Sequence, residues 1–281
     1  ASILYRVPIF YMTDANVQTE RSTRLLKKIV KRFSLGKILF RFTSGFLTAG
    51  TNNEQLYRHY GVPGHKLFPF AYSWGYDKLI ETAKQMRPQR RRLRTEMGIS
   101  DQDNVILFCG RFSPEKNILL LLQAYCNLAT PNTVLLLAGD GPLRGEIEEF
   151  VRENRIDSVR LAGFRDRTDI GKYYTIADMF VLPSIRDTWG IVVAEAMCFG
   201  LPVVVSANVG SSVDLVTDGL NGYRFQAGDV DSLTESLERM LSLTKEEKVL
   251  FGSQSATIIK DWIERNVADL LDTYLDIVYG R

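Results

Sequence analysis

The chain has 281 residues, of which 45% are hydrophobic and 24% charged, values ordinary for a globular protein with one large or two modest domains. No run of eighteen apolar residues occurs, so no membrane-spanning helix is predicted. Residues 1–100 contain 18 Lys and Arg against 6 Asp and Glu, a balance of +12, whereas the remainder carries −10. This asymmetry indicates that the front of the chain faces an anionic partner.

The first hundred residues predict part of an α/β domain. We expect strands at residues 3–12, 45–49 and 66–72, and a short helix at residues 53–60. Residues 20–41 carry eight Lys or Arg against one acid, and an apolar stripe lies opposite the basic face. Such a helix can lie on an anionic membrane, or it is an ordinary amphipathic surface helix. No nucleic acid is expected, because no aromatic residues interleave with the basic run at 90–94.

From residue 104 short apolar runs alternate with helical segments. The predicted strands are residues 104–110, 133–139, 159–163, 179–183 and 202–206, and the predicted helices are residues 117–129, 143–154, 169–177 and 190–199. This alternation is typical of a parallel, doubly wound α/β sheet, whose ligands bind beyond the carboxyl ends of the strands. Residues 258–279 predict an amphipathic closing helix. Three cysteines, Cys109, Cys126 and Cys198, lie in apolar runs and are expected to be buried free thiols.

Two loops beyond predicted strands carry the candidate chemistry. Asp187 and Glu195 lie eight positions apart, on the loop before a helix and two turns inside it. Between them lie Thr188, Trp189, Gly190, Ile191 and Val192, whose backbone N–H groups at a helix start favour a diphosphate. After the strand at 104–110, the run Gly110, Arg111 to Lys116 places two cations on one loop, where they can neutralise a diphosphate leaving group.

These motifs resemble the donor-binding signature of retaining glycosyltransferases of the GT-B fold, the glycosyl transferases group 1 family (family 4 type). That family has Glu-x7-Glu followed by Gly-x-Pro-Val, and the stretch from Gly200 to Val203 fits. Glu195 matches the second acid, whereas Asp187 replaces the first Glu and Gly210 stands alone where relatives have Gly-Gly. The family's Gly-Arg-x4-Lys is matched in full by Gly110 to Lys116.

The resemblance implies two Rossmann-like domains with an active site in the cleft between them. On this mapping residues 1–74 are a partial, acceptor-side N-terminal domain, residues 75–90 a linker and residues 91–255 the nucleotide-sugar domain. Residues 256–281 would be a helix that crosses back to the N-terminal domain. The first several elements of the N-terminal domain have no counterpart, so we expect a trimmed chain or an unusually short member of the family.

Individual roles also follow from the resemblance. Glu195 would accept hydrogen bonds from the ribose hydroxyls and Asp187 would contact hydroxyls of the donor sugar. Gly139 and Asp140 would lie at the edge of the donor pocket, although a plain turn between strand and helix explains them nearly as well. Phe164 and Arg165 occupy the base-binding loop, in which the backbone of relatives reads the base.

Asp14 stands where many relatives have a histidine that touches the donor sugar. A carboxylate there can stabilise an oxocarbenium-like centre or bind an acceptor hydroxyl. The alternative is a turn residue or a helix N-cap.

The sequence therefore predicts a retaining, metal-independent glycosyltransferase with no cofactor. The donor would be a UDP-, GDP- or ADP-linked sugar and the acceptor a glycan or lipid-linked glycan, in the cytoplasm at the inner face of the membrane. Asp101 and Asp103 mimic a metal-binding Asp-x-Asp, but they precede the first strand of the nucleotide-sugar domain and are predicted to form a solvated turn. Two alternatives stay open, a non-catalytic protein that binds sugar nucleotide or glycan and a nucleotide-sugar epimerase of the same fold.

Overall fold

The computed structural model describes residues 8–17, 42–70, 75–166 and 169–279. The chain divides into two compact units, residues 1–74 with 261–281 and residues 75–260. The basic segment at residues 20–41 lies outside the described residues, as does half of the strand predicted at residues 3–12.

The first unit contains a small parallel sheet. Strands β1 (Phe10–Met12), β2 (Gly45–Thr48) and β3 (Leu67–Pro69) pair in the order β1-β2-β3. Helix α1 (Thr51–His59) lies between β2 and β3 in the chain and buries Leu56 and Tyr57 in a core with Phe46, Tyr60 and Val62. The predicted strands at 45–49 and 66–72 and the helix at 53–60 are confirmed, with shorter strands than expected.

The second unit is built on a six-stranded, all-parallel sheet of order β6-β5-β4-β7-β8-β9. Its strands are β4 (Asn104–Cys109), β5 (Thr133–Ala138), β6 (Val159–Gly163), β7 (Met179–Leu182), β8 (Val203–Ser206) and β9 (Gly222–Phe225). The central strands are buried over nearly their whole length, as their continuous apolar runs require. The doubly wound parallel sheet expected from the sequence is confirmed.

Helices connect these strands. They are α2 (Tyr76–Met86), α3 (Arg90–Glu96), α4 (Ile118–Asn127), α5 (Arg144–Glu153), α6 (Ile170–Ile176), α7 (Ile191–Cys198), α8 (Ser212–Leu215), α9 (Val230–Leu241) and α10 (Lys245–Tyr279). The helices predicted at 117–129, 143–154, 169–177 and 190–199 are confirmed within a few residues.

The structure differs from the sequence expectations in three places. The segment expected as a linker, residues 75–90, is mostly helical and belongs to the second unit, where α2 packs beside α6 and α7. The closing helix begins at Lys245, well before the predicted residue 258, and its residues from 261 onward belong to the first unit. Cys126 is exposed, because it lies on the outer face of α4, whereas Cys109 and Cys198 are buried free thiols as predicted.

Among the described residues, none of the helices is both long enough and apolar enough to cross a bilayer.

Candidate functional site

The candidate residues of the second unit gather where the winding of the sheet reverses. The chain passes from β4 to β5 and β6 on one side, and returns to β7, β8 and β9 on the other. A crevice forms beyond the carboxyl ends of the strands at such a switch point, here between β4 and β7. The loop after β4 carries Gly110 to Lys116, and the loop after β7 carries Asp187 and leads into α7.

The loop after β4 lies directly on the turn after β5. The N–H of Phe112 donates to the Asp140 carbonyl at 2.9 Å, and the N–H of Leu143 donates to the Phe112 carbonyl at 3.0 Å. A Cβ on Gly139 would lie 1.8 Å from the Gly110 carbonyl oxygen, so only glycine fits there. Gly139 therefore has a packing role that fixes the loop of Arg111 and Lys116. A contact of Gly139 or Asp140 with a donor stays a prediction.

The two cations of this loop have different surroundings. The Lys116 ammonium contacts the Asp187 carboxylate, and the two side chains are only 23% and 12% exposed. The Arg111 side chain is exposed, and its guanidinium has no hydrogen bond or ion pair to any other residue in the described part of the chain. Phe112 between them is fully buried and anchors the loop. The ion pair joins two candidate residues that are 71 positions apart.

The loop containing Asp187 is held by the loop after β8. The N–H of Gly210 donates to the Asp187 carbonyl at 3.0 Å and that of Ser211 donates to the Trp189 carbonyl at 2.9 Å. Gly190 has a φ of 84°, and a Cβ on it would lie 2.5 Å from a methyl group of Val209. Glycine is thus required where the chain turns into α7. Although Gly210 lacks the neighbouring glycine of the family signature, it carries the backbone contact that fixes Asp187.

The amino end of α7 presents unsatisfied donors. The N–H groups of Gly190, Ile191 and Val192 have no acceptor among the described residues. These are the groups that favour an anion at a helix start. Thr188 is half-buried, whereas the Trp189 side chain is 4% exposed and packs in the interior, so only its backbone remains available to a ligand.

Glu195 lies one turn further along α7, in an otherwise apolar helix. Its carboxylate has no ion pair within the described residues. Its partner is the Tyr174 hydroxyl on α6, which donates to Oε2 at 2.9 Å. The buried thiols of Cys109 and Cys198 lie nearby, and burial together with the Glu195 charge raises the pKa of Cys198 to about 12. Sequence reasoning missed Tyr174, because no motif links it to Glu195.

The predicted base-binding loop follows β6. Phe164 is 74% exposed, and the Arg165 guanidinium contacts the Ala162 carbonyl and lies over the Tyr173 ring at 5.4 Å. An exposed aromatic ring at the carboxyl end of a strand is free to stack on a ligand. The role of Phe164 and Arg165 in binding a base remains a prediction.

Asp14 belongs to the first unit. It is exposed in the loop after β1, and its carboxylate has no partner among the described residues, so the N-cap alternative is not seen there. The loop itself is fixed by Asn53, whose Nδ2 donates to the Thr13 carbonyl at 3.0 Å and to the Ala15 carbonyl at 2.5 Å. The structure thus gives Asp14 a defined backbone and leaves its catalytic role a prediction.

Polar residues also cluster at the opposite, amino edge of the sheet. Here Arg90 and Arg94 on α3 both bond to Asp178, each at 2.6 Å, beside a cavity of about 430 Å³. Asp101 and Asp103 form the expected turn before β4, where Asp103 accepts from the Ser100 N–H at 2.8 Å. In the described part of the chain, no group of three or more His, Cys, Asp or Glu could hold a metal ion.

Comparison with known proteins finds a family of related sequences that matches the second unit. The family model described as "Glycosyl transferases group 1" matches residues 89–252. A 151-residue stretch is 34% identical to an uncharacterised glycosyltransferase of Methanocaldococcus jannaschii, and covers 53% of this chain and 38% of that protein. The lipopolysaccharide 1,2-N-acetylglucosaminetransferase of Salmonella typhimurium is 31% identical over 63% of this chain and 49% of its own length. The chain thus spans half or less of these two relatives.

Longer similarities extend over nearly the whole chain. An alpha-monoglucosyldiacylglycerol synthase of Acholeplasma laidlawii is 25% identical over 97% of this chain and 70% of that protein. The crystal structure of HepE from Anabaena in complex with UDP superposes with a TM-score of 0.79 at 19% identity, covering 97% of this chain and 74% of that one. These likenesses show the GT-B fold for this chain.

Proposed function

This chain belongs to the glycosyl transferases group 1 family, and from that premise we propose that it transfers a sugar from a nucleoside-diphosphate sugar to a glycan or lipid-linked acceptor. The observation that carries the proposal is the arrangement at the switch point. The Lys116–Asp187 pair, the unpaired N–H groups of α7 and the half-buried Glu195 lie on the loops and the helix that follow the neighbouring strands β4 and β7. A diphosphate with hydroxyl groups on both sides matches this set of donors and acceptors.

The donor is oriented by charge and hydrogen bonding. Arg111, Lys116 and the helix start bind the diphosphate, Glu195 accepts from the ribose hydroxyls and Asp187 accepts from hydroxyls of the sugar. Binding of the diphosphate draws the Lys116 ammonium from its pair with Asp187 and leaves that carboxylate for the sugar. Support for a uridine nucleotide comes from HepE, which was solved with UDP and with UDP-glucose.

We assign a front-face reaction that retains the configuration at the anomeric carbon. The bond from the anomeric carbon to the phosphate oxygen breaks, the acceptor oxygen forms its bond on the same face, and the leaving phosphate oxygen takes the acceptor's proton. Cations and N–H groups aimed at the developing charge supply the main stabilisation, so the reaction proceeds without a metal ion. The acceptor is membrane-proximal, as the name of the Acholeplasma relative, a diacylglycerol glycolipid synthase, supports.

The test is calorimetric binding of UDP, GDP and ADP, in excess EDTA, to the wild-type chain, to Glu195→Ala and to the exposed control Glu153→Ala. We expect one nucleotide to bind despite the chelator, to lose at least tenfold in affinity in Glu195→Ala because bonds to a charged acceptor are lost, and to be unaffected in the control. Binding that disappears with EDTA would contradict metal independence. No binding by a folded chain would overturn the donor site.

A second measurement separates transfer from the two alternatives. Products made from the matching sugar nucleotide are examined by NMR, with the anomeric proton coupling as the readout. Transfer or hydrolysis with retained configuration supports the proposal. Conversion to an epimeric sugar nucleotide indicates an epimerase, and tight binding without any turnover indicates a non-catalytic protein.

A further inference from the structure

The Glu195 carboxylate is held on one side only. Oε2 accepts the hydrogen bond of the Tyr174 hydroxyl at 2.9 Å, whereas Oε1 has no partner among the described residues. The apolar residues around it on α7 offer no donor. A carboxylate in such surroundings needs hydrogen bonds to its charged form, because burial of an unpaired charge is costly. Oε2 therefore accepts a hydrogen bond from the protein, whereas Oε1 can still accept hydrogen bonds from a ligand.

Tyr174 is itself immobilised by its surroundings. It is 1% exposed, its ring stacks on Phe199 with centroids 5.2 Å apart, and it meets Phe180 at 6.2 Å. Burial, followed by the neighbouring Cys109 and Glu195, raises the pKa of Tyr174 well above its ordinary value. The phenol thus stays protonated at any physiological pH and acts as a hydrogen-bond donor to the carboxylate.

The helix that carries Tyr174 is anchored from the amino edge of the sheet. Directly after Tyr174, the carbonyls of Thr175 and Ile176 accept hydrogen bonds from Arg90 and Arg94, at 2.5 and 2.8 Å. These bonds satisfy carbonyl groups that the end of a helix would leave without partners. The position of the Tyr174 hydroxyl is therefore set by a rigid frame rather than by a loop.

From this geometry we infer that Tyr174 is a positioning residue of the nucleotide site, which fixes the Glu195 carboxylate so that its free oxygen accepts hydrogen bonds from the ribose hydroxyls. The inference rests on the proposed function, since it takes Glu195 as the ribose ligand. Tyr174 itself touches no substrate. Its contribution is orientation, because a carboxylate on a long side chain otherwise samples several rotamers before it meets a ligand.

The experiment compares UDP with 2′,3′-dideoxy-UDP, or the corresponding pair of the base selected above, in calorimetric titrations of the wild type and of Tyr174→Phe. Phenylalanine keeps the ring and removes only the hydroxyl. We expect the wild type to prefer the ribonucleotide by about tenfold or more and Tyr174→Phe to lose most of that preference. Affinity for the dideoxy nucleotide should change less than twofold. In turnover, the KM for the donor should rise while kcat stays within about twofold.

The matched control is Tyr125→Phe, which also removes the hydroxyl of a buried tyrosine. That hydroxyl donates to the Thr133 carbonyl at 2.5 Å and is hydrogen-bonded to the Ser158 hydroxyl at 2.8 Å. Tyr125→Phe should leave the preference for ribose unchanged. If Tyr174→Phe does not fold, Phe199→Leu loosens the ring stack and should lower the preference in the same direction by a smaller factor. An unchanged ratio in a folded Tyr174→Phe or Phe199→Leu overturns the positioning role. A wild type that binds neither nucleotide instead overturns the proposed function.

Discussion

The two edges of the six-stranded sheet carry similar charged side chains, but these side chains have different roles at each edge. At the amino edge, Arg90, Arg94, Asp178 and Lys248 form a basal cluster in which all four side chains bond to other residues. At the carboxyl edge, the Arg111 guanidinium, the N–H groups at the start of α7 and one oxygen of Glu195 have no partner in the described part of the chain. Charged groups that bond to other residues stabilise the fold, whereas charged groups in a cleft without such bonds indicate a ligand-binding site.

The cations of the basal cluster are held by hydrogen bonds to carboxylate, amide and carbonyl oxygens of the protein. Arg94 is 3% exposed and donates to the carbonyls of Ile176, Ser100 and Asp103 besides the Asp178 carboxylate. Lys248 donates to Asn104 at 2.8 Å and to the Leu241 carbonyl at 3.2 Å, and burial lowers its pKa. Although Arg90, Arg94 and Lys248 line the cavity at this edge, they already donate to protein acceptors, so the cluster joins α3, the end of α6 and α10 rather than binding an anion.

The largest expected effect is a loss of stability when the basal cluster at the amino edge is disrupted. Arg94→Ala removes one charged donor from Asp178 and the Arg94 hydrogen bonds to several carbonyls, and should lower the free energy of unfolding by about 3 to 5 kcal/mol, as measured by urea denaturation. Arg91→Ala on the same helix removes an exposed arginine paired with Asp101 and should cost no more than about 1 kcal/mol. Equal losses in the two variants would contradict the structural role assigned to the basal cluster.

The next largest effect is a loss of transfer activity at the carboxyl edge, without a change in stability. Arg111→Ala removes a cation that has no partner in the described residues, so the free energy of unfolding should stay within about 0.5 kcal/mol of the wild-type value. The transfer rate should fall about 100- to 1,000-fold, because one group that stabilises the diphosphate is lost. The exposed Arg92→Ala on α3 serves as control and should keep full activity. A stable but fully active Arg111→Ala would remove Arg111 from the site.

The smallest expected effect is a loss of preference for the sugar nucleotide over the free nucleotide. Asp187→Asn keeps the shape of the side chain but removes the charge that pairs with Lys116 and accepts from sugar hydroxyls. The preference for the sugar nucleotide over the free nucleotide should fall about tenfold in parallel calorimetric titrations, since bonds to a charged acceptor are lost. Binding of the free nucleotide should weaken far less. A loss shared equally by both ligands would instead assign Asp187 to the diphosphate.

The fold of the second unit was predictable because its signals are local. Buried parallel strands are short continuous apolar runs, and those at β4, β5, β7 and β8 were recognised together with the helices between them. Strand β9 and helices α2 and α9 were not predicted, since their amphipathic patterns carry no comparable run. The exposed position of Cys126 was also missed, because an apolar neighbourhood in sequence does not tell which face of a helix a residue occupies.

The sequence by itself determined the order of the strands along the chain and the motifs around Arg111, Lys116, Asp187 and Glu195, because these motifs occupy the loops and the helix that directly follow recognisable strands. Only the tertiary structure decided which of these groups have partners. The Lys116–Asp187 contact and the Tyr174–Glu195 hydrogen bond span 71 and 21 positions. The first exists because the neighbouring strands β4 and β7 bring their loops to one edge of the sheet, and the second because helices α6 and α7 place their side chains together. Spacing along a chain reports local geometry, whereas compensation of charge depends on packing between distant segments.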